Sequence, residues 1–267
     1  MSFQYLKAAE LTQEQLIIFE RYREFLLDWN RKVNLTAITD PGEVEVKHFL
    51  DSLLLRSSEI WKKSSGMETQ PMQVVDVGGE KEALPTQIVY IGSEMETQPM
   101  RVVDVGGGAG FPGIPLKIVH GHIALDTLEA SRKKVDFLQA LTEDLTLEDT
   151  RAIHIRAEEA GQDPAFREKY DWALVRGVAA MPTLLEYCLP LLKMGGYMAA
   201  YKGPSGRKEA ETAKKAAATM GGRLVDSVNA SLPEGQGERQ ILIYRKVKAT
   251  PKKYPRKPGF PAKQPIL

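Results

Sequence analysis

Apolar positions recur at helical spacing near the start of the chain, where Leu16, Phe19, Tyr22, Phe25, Leu26 and Trp29 trace one stripe. Thr12 and Gln15 ahead of that stripe make a capping box, which predicts a single helix running to about Asn30. Asp40-Pro41 followed by Glu43 is a second start signal: a side-chain cap, a proline in the first turn, and an acid near the positive helix end. The helix it opens is expected to carry His48, Asp51 and Ser52 on neighbouring turns of one face.

From Arg101 onward the pattern changes to alternating strands and helices. Apolar runs at Val102–Val105, Ile123–Leu128, Ala152–Ile155, Trp172–Val175, Gly196–Tyr201, Leu224–Val228 and Gln240–Tyr244 predict strands. Helical stretches such as Arg132–Leu145, Met181–Leu192 and Arg207–Met220 lie between most of them. This alternation predicts a doubly wound, Rossmann-like α/β sheet. Only Leu232–Gly237 joins the last two strands, too short for a crossover helix, so the final strand is expected to run antiparallel.

One repeat interrupts the pattern. Residues 67–79 (METQPMQVVDVGG) and 95–107 (METQPMRVVDVGG) agree at 12 of 13 positions with an offset of 28. Only the second copy continues into a glycine-rich loop, so it is expected to form the first strand, with residues 67–94 as an inserted segment. The expected organisation is a helical N-terminal cap (1–66), that insertion, a core domain (95–246) and a basic, proline-rich tail (247–267).

Composition narrows the class. With 267 residues, 43% of them hydrophobic and 27% charged, the chain can bury an ordinary core. A single cysteine, Cys188, gives no disulfide framework and fits a reducing compartment, and no apolar run approaches the length of a membrane span. A cytoplasmic monomer without a membrane segment is the expectation. The net charge of +1 hides an asymmetry: Arg239–Leu267 holds nine Lys or Arg and no acid, leaving 27 basic and 35 acidic residues in the rest. Such a split implies a local cationic arm.

The candidate chemistry begins at Val102-Val103-Asp104-Val105-Gly106-Gly107-Gly108-Ala109-Gly110, a G-x-G-x-G loop directly after a buried strand. Glycines there let the backbone turn tightly and let a nucleotide-type ligand approach the strand ends. The dinucleotide fingerprint is not met, because Phe111 stands where its third glycine would be. Asp104 suits a ligand bearing an ammonium group. Glu129, about 20 residues on at the end of the next strand, is placed to accept from ribose hydroxyls. Ala157 and Glu158 follow the third strand, where an adenine is expected. The four histidines show no metal-ligand spacing, so no metal site is expected.

Several strings spaced along the chain resemble the RsmG (GidB) family of bacterial 16S rRNA guanine-N7 methyltransferases. They are residues 29–36 (WNRKVNLT), 48–53 (HFLDSL), 103–116 (VDVGGGAGFPGIPL), 176–179 (RGVA), Lys202-Gly203, 237–239 (GER) and 252–257 (KKYPRK). The resemblance covers about 12–66 and 95 to the end; the duplication is the departure. It implies a class I S-adenosylmethionine-dependent methyltransferase sheet acting on a guanine in the helix 18 loop of 16S rRNA, within the small ribosomal subunit. On that basis Asp104, Gly106, Gly108, Gly110, Phe111, Glu129, Ala157, Glu158 and Arg176 hold S-adenosylmethionine. Arg176, His48, Asp51 and Lys202 act at the reacting centre. Asn34, Arg239 and the tail cations Lys252, Lys253, Arg256 and Lys257 face RNA.

The residues fit that chemistry. Guanine N7 already presents a lone pair, so positioning suffices and no general base is required. Cys188 sits in an apolar helical stretch and reads as a core thiol, against nucleophilic base chemistry. An Asn/Asp-Pro-Pro-aromatic turn, used for exocyclic amines, is replaced by Arg176-Gly177-Val178-Ala179. The residues alone leave open a same-fold methyltransferase acting on a small molecule or protein, and a non-catalytic ribosome-associated RNA-binding protein.

Overall fold

A computed structural model describes residues 3–66 and 99–267. The first copy of the repeat and the expected insertion at 67–94 lie outside the described residues. The second copy supplies the central strand β1, Arg101–Val105, buried along nearly its whole length as an all-parallel surrounding requires. The other strands are β2 (Ala124–Glu129), β3 (Thr150–His154), β4 (Tyr170–Arg176), β5 (Leu192–Lys202), β6 (Gly222–Ser231) and β7 (Glu238–Lys246). They form one sheet in the order β3-β2-β1-β4-β5-β7-β6, with β7 antiparallel to both neighbours and the β1–β5 pairings parallel. The carboxyl ends of β1–β5 and the start of β7 therefore share one edge.

The expected first helix is α1, Gln13–Asn30, and both arms of its cap form: Thr12 Oγ1 accepts from the Gln15 N–H and the Gln15 side chain accepts from the Thr12 N–H. The Asp40 side chain caps the second run by accepting from the Glu43 N–H. That run is not one regular helix: Glu45–Leu50 is π-helical and Leu54–Ser57 ends it in a 3-10 turn. The wider π turn is the local departure that sets His48 and Asp51 against the sheet edge. Two later helices are also broken. Met181–Cys188 continues as a 3-10 turn, Leu189–Leu191, at Pro190, and Arg207–Met220 divides at Ala213 into Gly206–Thr212 and Lys214–Met220.

The cap is not a separate body, because one apolar cluster runs from Phe19, Tyr22, Leu26 and Phe49 to Phe111, Phe137, Trp172 and Ile243. The other face of the sheet is covered by Met181–Cys188 and Lys214–Met220, and Cys188 is fully buried there.

The C-terminal tail corrects an expectation. Its prolines do exclude long regular structure, yet it is strapped along the domain rather than left as a free arm. Arg167 donates to the Thr250 and Tyr254 carbonyls, Gln162 to those of Lys252 and Pro255, and Thr183 Oγ1 to that of Pro261. Arg256, expected to face RNA, makes a forked ion pair with Glu186 at 2.6–3.1 Å, and Glu186 is fully buried. An acid inside the apolar helix Met181–Cys188 demands a cationic partner, and the tail supplies it. Lys252, Lys253 and Lys257 remain exposed.

Removing that partner should be severe. Arg256→Ala is expected to lower unfolding free energy by about 2–3 kcal/mol in urea titration, since the Arg256 backbone N–H still reaches Glu186. Arg256→Lys should recover only part, because an ammonium lacks the planar fork. A loss below about 0.5 kcal/mol would rule out the strap.

Candidate functional site

At the end of β1 the chain turns through glycines. The Gly106 N–H bonds the Leu128 carbonyl at 2.8 Å, and the loop closes on itself through Gly110 and Phe111 N–H groups donating to the Gly107 carbonyl. Gly106, Gly108 and Gly110 have φ of +71, +59 and +97°, which side chains rarely tolerate. The surroundings of a hypothetical Cβ separate these glycines. At Gly106 it would meet Val178 at 2.7 Å, at Gly107 Thr127 at 2.6 Å, and at Gly110 the Tyr22 hydroxyl at 2.5 Å. At Gly108 only the Gly106 carbonyl lies near, at 3.9 Å. The loop is thus packed from below and open above Gly108.

Two carboxylates frame that opening. Asp104 is fully buried; its Oδ2 accepts from the Gly113 N–H at 2.8 Å, while Oδ1 has no hydrogen-bond partner. Burial pushes its carboxyl up to about 7, against the lowering effect of the Gly113 N–H. Glu129, 7% exposed, accepts from the Gly108 N–H through Oε2 and from the Ser131 N–H through Oε1. Each oxygen keeps a second lone pair for a ligand. Ala157 opens the helix Ala157–Ala160 beyond β3. Glu158 beside it turns to the tail, where its Oε1 accepts from the Gly259 N–H.

Across the loop, the cap and β4 bring together the residues expected at the reacting centre. Arg176, the last residue of β4, donates from Nη1 to Asp51 Oδ2 at 2.9 Å and to the Lys47 carbonyl at 3.1 Å. Its Nη2 lies 3.1 Å from His48 Nδ1. An arginine only donates, so His48 accepts at Nδ1, and its protonated Nε2 donates to Thr36 Oγ1 at 2.8 Å. Burial, then the Arg176 charge, holds the His48 imidazole down at about 3, so the ring is neutral. The His48 ring stacks on Phe111 with centroids 4.3 Å apart, and the Arg176 guanidinium sits 5.0 Å from the same ring centre. Arg239 Nε stands 3.2 Å from Asp51 Oδ1 as an ion pair outside hydrogen-bond alignment, so one buried acid serves two arginines.

Lys202, at the end of β5, is held by the Ala179 carbonyl and Glu209, both at 2.8 Å. It braces the turn after β4 rather than joining the Arg176 cluster. Asn34 is exposed on the loop after α1, whose neighbouring Leu35 and Thr36 are fixed by the Asn30 side chain. Three further contributors escaped the sequence reading. Tyr22 donates its hydroxyl to the Ala109 carbonyl at 2.5 Å and stacks on Phe111. Thr36 fixes the His48 ring, and Tyr201 ties β5 to the Ser52 carbonyl. Tyr22 sat in an apolar stripe and read as core; its lone hydroxyl was the available signal. A hollow of about 910 Å³ lies at the opposite sheet edge, next to Gly66 and Pro99, the ends of the undescribed segment. It is remote from these groups and carries no ligand reading.

The neutral His48 has a measurable consequence. Its folded value is depressed below that of the unfolded chain, so the unfolded chain binds the extra proton and stability falls as pH drops from 6.5 toward about 3. In that window His48 contributes a slope of about 1.4 kcal/mol per pH unit at most. His48→Gln should make the acid-side decline shallower by up to that amount in denaturation measured from pH 6.5 to 4. His120, held down at about 4, contributes a parallel loss in both proteins. Identical slopes would mean that His48 is charged or exposed in the folded state.

Comparison with known proteins places this geometry in a family. A family model described as rRNA small subunit methyltransferase G matches residues 15–80 and 86–241. The chain is 40% identical over 245 residues to the ribosomal RNA small subunit methyltransferase G of Alkaliphilus metalliredigens, covering 92% of this chain and 88% of that one. It is 39% identical over 257 residues to the protein of that name from Alkaliphilus oremlandii, covering 96% and 93%. With its namesake from Listeria monocytogenes it shares 39% identity over 260 residues, covering 97% and 94%. The chain belongs to the rRNA small subunit methyltransferase G family.

Proposed function

We propose that this chain transfers a methyl group from S-adenosylmethionine to N7 of a guanine in the helix 18 loop of 16S rRNA. The observation that carries the reading is that, among the described residues, the polar groups gathered around Arg176 are already engaged with one another. Both His48 ring nitrogens are engaged, Asp51 lies between Arg176 and Arg239, and burial pushes the Cys188 thiol far above its usual range. Such a site suits an acceptor that loses no proton before attack, which guanine N7 is and an exocyclic amine or a carbon is not.

The residues present fit the cofactor. The unpartnered Asp104 Oδ1 is a buried acceptor suited to an ammonium, the free lone pairs of Glu129 to a ribose diol, and the space above Gly108 to a ligand approaching the backbone. Gly106 and Gly110 shape that loop, Phe111 supports it from the cap, and Ala157 stands after β3 on the side assigned to adenine. When bound, S-adenosylmethionine supplies an electrophilic methyl: the N7 lone pair forms the new bond as the carbon–sulfur pair returns to sulfur.

The chain's part is positioning. Arg176 is held by three acceptors and a ring face, so its remaining N–H groups have a fixed direction. A donor on N7 would occupy the reacting lone pair, so Arg176 serves the guanine through O6 or by stacking. Positive charge would pass from the cofactor to the purine without a change in total, so the Asp51–Arg176–Arg239 group, +1 overall, meets the same charge before and after transfer. Lys202 keeps the turn behind Arg176 in place, and Asn34 and Arg239 stand at the rim for RNA.

Titration calorimetry and transfer of radiolabelled methyl to undermethylated small subunits test this together. Gly108→Val forces a branched side chain into a left-handed backbone and into the opening, and should abolish cofactor binding. Arg176→Ala should keep cofactor binding and lose transfer by about 100-fold or more. Chain scission after borohydride and aniline treatment should map the label to guanine N7. Label on another atom, or on protein alone, would refute the proposal.

A further inference from the structure

Exposed cations are not confined to the tail. In the tail Arg256 is committed to Glu186 while Lys252, Lys253 and Lys257 stay exposed, and further exposed cations stand on both sides of the opening. On one flank, Lys133 lies in the first turn after β2 and Arg156 directly after β3. On the other, Arg207 and Lys208 open the helix Gly206–Thr212 after β5. None of the four pairs with a carboxylate among the described residues. Two exposed acids also stand on this edge, each held by a neutral donor: Glu159 accepts from the Arg156 backbone N–H, and Glu238 from the Ser231 hydroxyl.

Because these residues follow parallel strands, the topology places them on the carboxyl edge that carries Gly108 and Arg176. From β3 to β5 there are four strand steps, about 19 Å at roughly 4.8 Å each. The glycine loop of β1 and Arg176 of β4 occupy the middle of that span. The helix Arg132–Asp144 begins Arg-Lys-Lys with no acid in its first turn. Cations there oppose the helix dipole by about 0.3–1 kcal/mol each, a local disadvantage that an anion above them would reverse.

We infer that Lys133 and Arg156 on one flank, and Arg207 and Lys208 on the other, form the phosphate-binding rim. They grip the RNA strand on either side of the target nucleotide, while the basic tail holds the domain together. This rests on the rRNA reading above. An RNA loop suits such a rim, because a splayed central base can descend toward Gly108 while its neighbours' phosphates stay on the flanks. Each phosphate neutralised should contribute about 0.7 to the slope of log affinity against log salt.

The test uses the full chain and an unmodified 16S rRNA fragment spanning helix 18, titrated over a salt series. A variant with Lys133→Gln, Arg156→Gln, Arg207→Gln and Lys208→Gln should flatten the salt slope by about 2–3. Its affinity for S-adenosylmethionine, measured in parallel, should be unchanged, which shows that the fold is intact. Lys252→Gln with Lys253→Gln should leave the slope as it is. An unchanged slope in the first variant, or a flattening in the tail variant alone, overturns the rim while leaving the enzyme reading in place. A wild-type chain that methylates no rRNA overturns both.

Discussion

The Phe111 ring is the contact on which the site depends, because cap, glycine loop and strand end all meet on it. Tyr22 stacks on it from α1 at 5.4 Å, His48 from the π turn at 4.3 Å, and the Arg176 guanidinium lies 5.0 Å away. Each aromatic pair contributes only about 0.5–1.5 kcal/mol beyond its buried area. Their value lies in alignment: the ring continues the loop that shapes the cofactor cradle, so any shift of the cap is felt at Gly110 and Ala109. The Tyr22 hydroxyl on the Ala109 carbonyl makes that linkage directional.

Most of the strand order's consequences could be read in advance. The β1 run and the alternation after it specify a parallel sheet, and the brief Leu232–Gly237 link specifies the antiparallel β7. The glycine loop with Glu129 was legible for a related reason: local backbone chemistry at a strand end depends on few distant residues. The π turn at Glu45–Leu50 was not, since its widening comes from packing against the sheet rather than from a breaker residue. Nor was the tail. Its strapping was hidden because the partners are remote in sequence: Glu186 lies 70 residues from Arg256, and Glu158 lies 101 from Gly259. Glu186 inside an apolar helix was the one mark of an unseen cation.

Charge is used in two ways that net charge cannot separate. Half-buried cations are used internally: Arg256 on Glu186, Lys202 on Glu209, Arg176 and Arg239 on Asp51. Removing a cation from Asp51 or Glu186 would leave a buried acid short of a partner, so these pairs serve uniqueness of geometry more than raw stability. Cations left in solvent stand in two places, on the tail at Lys252, Lys253 and Lys257 and along the carboxyl edge of the sheet at Lys133, Arg156, Arg207 and Lys208, so net charge alone does not separate them from the paired set.

The repeat poses the remaining problem, since two near-identical segments are candidates for one slot and the family model matches through both. The residues just after each copy decide between them. Aligned on the second copy, Glu80 of the first falls at Gly108, Glu82 at Gly110 and Ala83 at Phe111. Gly110 has φ of +97°, and a Cβ there would lie 2.5 Å from the Tyr22 hydroxyl and 2.8 Å from Ile114. Glu82 could not occupy that position without displacing the cap helix. Ala83 would offer no ring to Tyr22, His48 or Arg176. The strand sequence by itself is therefore not what selects the central slot. The selection is made five residues downstream of Gly106, by Phe111 and the glycine two places beyond Gly108, so the cap that closes the cofactor loop also enforces which copy builds the sheet.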